Sequence, residues 1–258
     1  MSTILIKKEG NVTTLTLNRP AVFNSFNREM SLELQNQLDV CANDNSVRAI
    51  IITGEGKGFC AGQDLQEALP GGDISIEKVV AEHYNPIIKR LRSIEKPIIA
   101  MVNGVAAGAG ANIALACDIV IAGKSVAFIQ AFSKIGLIPD SGGTFFLPRL
   151  VGMGRASALM MLADKVMADE AEKMGMIYKA VEDAELLNFT TQIANTLGNM
   201  PTVGIGLTKK LLNESMHNNL DQQLEAEMHI QAKAAKTYDH IEGIKAFVEK
   251  RKPVFKGE

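Results

Sequence analysis

The chain has 258 residues, of which 47% are hydrophobic and 22% charged, with a formal net charge of −2. Such a length and composition suit one large globular domain, or a domain with a small appendage, and supply enough apolar residues for a sizeable core. The near-neutral balance argues against a general nucleic-acid binder, though it leaves room for a local basic patch, and no apolar run reaches membrane-spanning length. The three cysteines, Cys41, Cys60 and Cys117, are an odd number without CxxC spacing. That usage suits a reducing cytosol better than a disulfide framework. The opening MSTILIKKEG shows no basic segment followed by an apolar run, so a cytoplasmic location is the expectation.

In chain order, residues 3–7 and 12–17 alternate in the β manner around Glu9-Gly10-Asn11, a hairpin signal. Asn18-Arg19-Pro20 ends the second strand. Asn27 is placed to cap a helix that carries Met30, Leu34 and Leu38 on one stripe and ends near Asn43-Asp44. Residues 47–53 read as a buried strand, followed by a glycine-rich loop over 54–62 and then Gln63-Asp64-Leu65. Pro70-Gly71-Gly72-Asp73 reads as an exposed, mobile turn. Residues 76–91 are helical by period. The next strand, 98–102, breaks at Asn103-Gly104, passes through a turn of small residues over 105–111, and enters a helix through Ile113, Leu115 and Ala116. A further strand spans 119–122. Two strands thus end in similar loops, near Gly62 and near Gly108, too irregularly spaced for a solenoid. Residues 126–138 are apolar and turn-rich. From Met153 onward the pattern is nearly all helix, broken at Gly175, Pro201 and Asn218-Asn219.

The stretch around Gly108 has two readings. Small residues permit close helix–strand packing. They also let a ligand reach the unpaired N–H groups at a helix start, where the positive end of the dipole lies. No GxGxxG or phosphate-loop spacing is present. Asp140 likewise has two readings. Aspartate before glycines commonly bonds its own turn. On the floor of an apolar pocket, desolvation would instead raise its pKa and make it a useful acid/base. His83, His217, His229 and His240 lie in no metal-ligand spacing and read as surface or packing residues. No GxSxG elbow supports a serine hydrolase of that type.

Four motifs occur in order: LNRP at 17–20, GFCAGQDL at 58–65, VNGVAAGAG at 102–110 and KIGLIPDSGGT at 134–144. Together with the closing AFVEKRKPVF at 246–255, they resemble the crotonase (enoyl-CoA hydratase/isomerase) superfamily over essentially the whole chain. HYNP at 83–86 and FSKIGLIPDSGGT most resemble its ring-epoxide isomerases of the phenylacetate pathway. The resemblance implies an α/β fold, with a spiral of ββα units over 1–197. A helical region over 198–258 would build a homotrimer or a hexamer made as a dimer of trimers. It implies an acyl-CoA substrate, with coenzyme A as part of that substrate and no separate cofactor or metal, and neither nucleic acid nor membrane as partner.

Matched residue by residue, the family's two thioester-binding N–H groups fall at Gln63 and Ala109. The flanking Ala61, Asp64, Leu65 and Gly108 become substrate-binding positions. The two glutamates of the family's hydratases match Asn112 and Phe132, neither of which exchanges protons usefully. The aspartate of its isomerases matches Asp140. This pattern implies an isomerase that shifts a double bond or opens a ring epoxide with one carboxylate. Hydratase, thioester hydrolase and non-enzymatic RNA-binding relatives are the alternatives. Tyr84 and Phe132 fit either an apolar wall for the acyl group or ordinary core packing. Phe255 and the Lys250–Lys252 cluster are candidates for contact with the CoA adenine and phosphates, contributed by a neighbouring subunit.

Overall fold

The structure, a computed structural model, describes residues 2–64, 66–67 and 75–258. Among them, the strands in chain order are β1 (Ile4–Glu9), β2 (Val12–Leu17), β3 (Ala49–Gly54), β4 (Gly58–Cys60), β5 (Ile98–Val102), β6 (Val105–Ala107), β7 (Ile119–Gly123), β8 (Ala127–Ile129), β9 (Lys165–Met167) and β10 (Lys179–Val181). The helices are α1 (Arg28–Asn43), α2 (Ile76–Val79), α3 (Asn85–Ser93), α4 (Ala109–Ala116), α5 (Gly143–Val151), α6 (Met153–Leu162), α7 (Ala168–Lys173), α8 (Leu186–Gly198), α9 (Thr202–Glu214), α10 (Leu220–Ala234) and α11 (Tyr238–Val248).

The strands form a six-stranded sheet, ordered β1-β2-β3-β5-β7-β10, and a four-stranded sheet, ordered β4-β6-β8-β9. The β1–β2 hairpin is antiparallel, with Glu9 opposite Val12; the remaining pairs of the larger sheet are parallel. In the smaller sheet β4, β6 and β8 are parallel and β9 closes the edge antiparallel. The chain alternates between the sheets, so each strand pair followed by a helix is one turn of a spiral. This is the α/β architecture that the motifs imply.

Local chemistry explains most elements. The Asn27 side chain accepts from the Met30 N–H at 2.9 Å, capping α1, and Met30, Leu34 and Leu38 are fully buried along one stripe. Strands β3 and β5 are buried on both faces, which suits their continuous apolar runs. Helix α4 is buried all round, so it carries no large polar side chain except Asn112. It lies in the main core with Phe26, Phe59, Tyr84 and Phe128. A smaller core sits on the other face of the six-stranded sheet, where Leu186 and Ala194 of α8 cover Ile51, Ile99 and Ile121.

Two expectations need correction. The segment 105–111 is not simply a turn: its first three residues form β6, whose Ala106 pairs with Cys60 on one side and Phe128 on the other. Nor is the chain helical throughout after Met153, because β9 and β10 each complete a sheet edge. All three strands are three residues long, too short to show a period of two, and are held by the neighbours they pair with.

Beyond α8 the chain folds back onto the body. Arg48, just before β3, donates to the Thr202 hydroxyl at 2.7 Å and to the Phe255 carbonyl at 3.0 Å. Helices α10 and α11 leave large apolar side chains exposed, including Leu220, Met228, Ile241, Phe247 and Val248. Among the described residues no helix is long and apolar enough to cross a membrane.

Candidate active site

The parallel strands β4, β6 and β8 end side by side, and the three segments that leave them build the site. After β4 the chain runs Ala61-Gly62-Gln63; after β6 it runs Gly108-Ala109 into α4; after β8 it runs Gln130-Ala131-Phe132. Ligands in parallel α/β sheets bind outside the carboxyl ends of strands, because the loops and helix starts gathered there present unpaired N–H groups.

Two glycines set the first two segments. Gly62 has φ +96° and Gly108 has φ +54°, conformations that side-chain-bearing residues rarely adopt. A methyl group on Gly62 would stand 3.1 Å from the Ala107 carbonyl oxygen and 3.5 Å from the Ala109 nitrogen. The Gly62-Gln63 backbone is therefore directly beside the start of α4. The Gly62 carbonyl accepts from Phe26 N–H at 2.7 Å, and Asp64 N–H donates to Phe26 O at 2.9 Å, so the segment is held as a short bridge to the Phe26 backbone. Neither the Gln63 nor the Ala109 N–H has an acceptor among the described residues. Ala109 is the first residue of α4, where the helix leaves its N–H groups free and adds its positive dipole end. Two neighbouring free donors of this kind form a site for a carbonyl oxygen that gains negative charge.

Asp140 approaches from a third direction. It lies half-buried in the turn between the Ala131–Ile135 3₁₀ segment and α5. Burial holds its carboxyl above the ordinary carboxylate range, and the Ser141 hydroxyl, donating to Oδ1 at 2.9 Å, partly opposes this. Ser141 sits at φ +52° and Gly142 at φ +74°, a tight left-handed pair that sharply turns the chain. The Asp140 backbone is tied to α4: Asn112 Nδ2 donates to the Asp140 carbonyl at 2.9 Å, and Gln130 Nε2 donates to Asn112 Oδ1 at 2.8 Å.

Tyr84 lies within a π-helical segment, Val80–Tyr84, between α2 and α3. The carbonyls of Glu82 and His83, in this irregular turn, both accept from the Gln35 amide. Tyr84 is 1% exposed and packs edge-on against Phe26 at 5.9 Å, so its ring is a core residue rather than an open wall. Its hydroxyl nevertheless donates to the Gln63 side-chain Oε1 at 2.7 Å. Burial raises its pKa far above the ordinary phenol, reinforced by the negative charge of Asp140, which keeps it a neutral donor. Phe132 is buried beside the Gly108 turn, where a methyl on Gly108 would meet its ring at 3.8 Å. Behind the glycines, burial pushes the Cys60 thiol up to about 12, so it stays protonated and inert.

The structure therefore gathers Ala61, Gln63, Tyr84, Gly108, Ala109, Phe132 and Asp140 in one region. The Asp64 carboxylate is occupied by Arg19 at 2.8 Å, a contact that braces the loop. Leu65 and Pro70-Gly71-Gly72-Asp73 lie outside the described residues. Phe255 is not part of this gathering: its carbonyl is bound by Arg48 at the amino end of β3, and its ring lies near Gly243 of α11. In the Lys250–Lys252 cluster, Arg251 is engaged by Glu242 and Glu249. Sequence reading did not find Gln130 as a partner of this site. The available signal was a polar residue immediately after the end of β8.

Residues 7–258 match the family model described as Enoyl-CoA hydratase/isomerase. The chain is 45% identical to 1,2-epoxyphenylacetyl-CoA isomerase of Escherichia coli, covering 100% of both chains. It is 38% identical to the short-chain-enoyl-CoA hydratase of Clostridium acetobutylicum, over 98% of this chain and 97% of that one. The crystal structure of an enoyl-CoA hydratase from Polaromonas sp. JS666 superposes with a TM-score of 0.92 at 33% identity, covering 98% of this chain and 99% of that one.

Proposed function

The chain belongs to the enoyl-CoA hydratase/isomerase family of enzymes acting on CoA thioesters, and within it we propose that it is an isomerase working through a single carboxylate. The observation that carries this reading is the set of residues around the paired N–H groups. Asp140 is the acid there, with a raised pKa, and the family resemblance implies that Asn112 and Phe132 stand where its hydratases carry glutamates. Hydration needs one group to activate water and another to protonate carbon. A proton that merely moves between carbons of one molecule needs one group.

In the proposed reaction the thioester oxygen accepts hydrogen bonds from the Gln63 and Ala109 N–H groups. Enolate charge that develops on that oxygen is stabilised, by roughly 3–4 kcal/mol per donor in comparable sites. Asp140, ionised, removes the α-proton of a 3-enoyl-CoA; the electron pair moves through the old double bond; and Asp140 returns the proton at C4 to give the 2-enoyl-CoA. With a ring epoxide of phenylacetyl-CoA, expansion to the oxepin breaks the ring C–C bond that the oxygen bridges and keeps both C–O bonds, and the same thioester stabilisation would assist the accompanying proton shift from the α-carbon. The 45% identity to 1,2-epoxyphenylacetyl-CoA isomerase favours this second substrate. The exposed apolar side chains of α10 and α11 support reading 198–258 as the region through which copies associate as trimers or hexamers.

The test is one preparation assayed on 3-enoyl-CoA, crotonyl-CoA and epoxyphenylacetyl-CoA, with free CoA monitored. Rearrangement of the first or third substrate is expected, with slow hydration of crotonyl-CoA and no CoA release. Efficient hydration of crotonyl-CoA would overturn the reading.

A further inference from the structure

We propose that Asn112, held in turn by Gln130, is a positioning residue whose amide fixes the Asp140 carbonyl and so aims the Asp140 carboxyl. The proposal rests on Asp140 being the base of the reaction. Its geometry is a relay of two hydrogen bonds across the core: Gln130 Nε2 to Asn112 Oδ1 at 2.8 Å, then Asn112 Nδ2 to Asp140 O at 2.9 Å. Asn112 is fully buried on α4, three residues beyond the Ala109 whose N–H opens the helix, and Gln130 is 2% exposed. One short helix therefore carries both a thioester donor and the clamp on the base, which fixes the distance between them.

The turn that presents Asp140 needs such a clamp. Ser141 at φ +52° is a costly conformation for a side-chain-bearing residue and persists only where its surroundings hold it. The Asp140 carbonyl also accepts from Gly143 N–H at 2.9 Å, so the Asn112 amide adds a second donor from outside the turn. The packing leaves no slack: a methyl on Gly143 would stand 2.4 Å from Asn112 Nδ2. A glutamate at 112 would press on the Gly143 backbone and replace the donor with an acceptor facing the Asp140 carbonyl. In this chain the residue at 112 thus keeps the lone acid in place and excludes a second carboxylate.

The experiment compares Asn112→Ala and Gln130→Leu with wild type and with Asp140→Asn, in the full chain, on whichever acyl-CoA the wild type rearranges. Circular dichroism melts establish folding. Loss of the clamp misplaces the base without removing the thioester donors, so kcat should fall about a hundredfold in Asn112→Ala with KM nearly unchanged. The turn should also admit water, so the ascending limb of the kcat–pH profile should move to lower pH. Gln130→Leu, which removes only the outer bond, should shift both in the same direction by less. A variant that folds but keeps wild-type kcat and limb overturns the proposal, as does a rise in KM alone. If Asn112→Ala does not fold, Gln130→Leu decides by the same criteria. Full activity in Asp140→Asn would instead refute the assignment of the base, which separates the two failures.

Discussion

Asp140 departs from what its residue type prefers, because a half-buried carboxylate is costly to ionise where few donors meet it. Burial raises its pKa in the folded state. The stability that Asp140 allows is therefore complete below the ordinary aspartate pKa of about 3.9 and is lost as pH rises through the folded value. Asp140→Asn should accordingly melt at a higher temperature than wild type at neutral pH, with the gap closing as pH falls toward 4; thermal melts across that range check it, and a variant less stable at neutral pH would contradict it. Ala109 offers a second test. Proline is accepted at a first helical position, where φ suits it and no helical bond is lost. Ala109→Pro should keep α4 and the fold while deleting one thioester donor and placing ring carbon where its hydrogen pointed. Turnover should drop by at least about 10²-fold, and a steady-state assay with a parallel melt separates this from unfolding. At this scale the glycine-rich turns and Asp140 before its glycines stood out with two readings each, and it was the family resemblance that singled out Gln63, Ala109 and Asp140. The link between Asn112 and Gln130 was not readable, because a hydrogen bond between residues 18 positions apart leaves no local pattern.

At the scale of elements, legibility follows length. The stripe of Met30, Leu34 and Leu38 and the cap at Asn27 announce α1, and the alternation of β1 and β2 announces the hairpin. Strands β6, β9 and β10 carry no such signal, since three residues held by their neighbours need no pattern of their own. The π-helical segment Val80–Tyr84 was invisible for a related reason: helical periodicity runs through it, and the irregularity is sustained by the distant Gln35. That irregular turn sets where the Tyr84 hydroxyl meets Gln63. Gln35→Ala would leave the Glu82 and His83 carbonyls without this donor, at a cost of about 1–3 kcal/mol. Chemical denaturation should show that loss, and an unchanged midpoint would mean that the turn holds itself. Helix α4 fits for a different reason: a methyl on Gly110 would fall 2.3 Å from the Cys60 carbonyl oxygen, so only glycine lets the helix approach β4 this closely and carry Ala109 beside Gln63.

At the scale of the whole molecule, the design is a spiral whose parallel strands end together, with a tail that leaves apolar surface uncovered. The order of strands in the two sheets was not derivable from periodicity, and the family resemblance implied only a spiral of ββα units, two of whose four motifs contain the short strands β4 and β6. Phe247 is 86% exposed and Val248 73% exposed on α11, more than an isolated chain accommodates comfortably. Sedimentation should therefore give a mass at a multiple of 27.8 kDa, three or six chains in the proposed assembly, and Phe247→Lys should weaken it. A wild-type monomer at micromolar concentration would refute that reading. The claim on which the rest depends is that one acid works opposite two main-chain donors. Its most direct measurement is the turnover of Asp140→Asn beside wild type, on the acyl-CoA that wild type rearranges, with CoA-thioester binding measured on the same samples. The variant is expected to bind as wild type does and to lose about 10²–10⁴-fold in kcat, the range of general acid–base catalysis. Undiminished kcat would show that residue 140 only shapes a turn, and the single-acid account would be wrong.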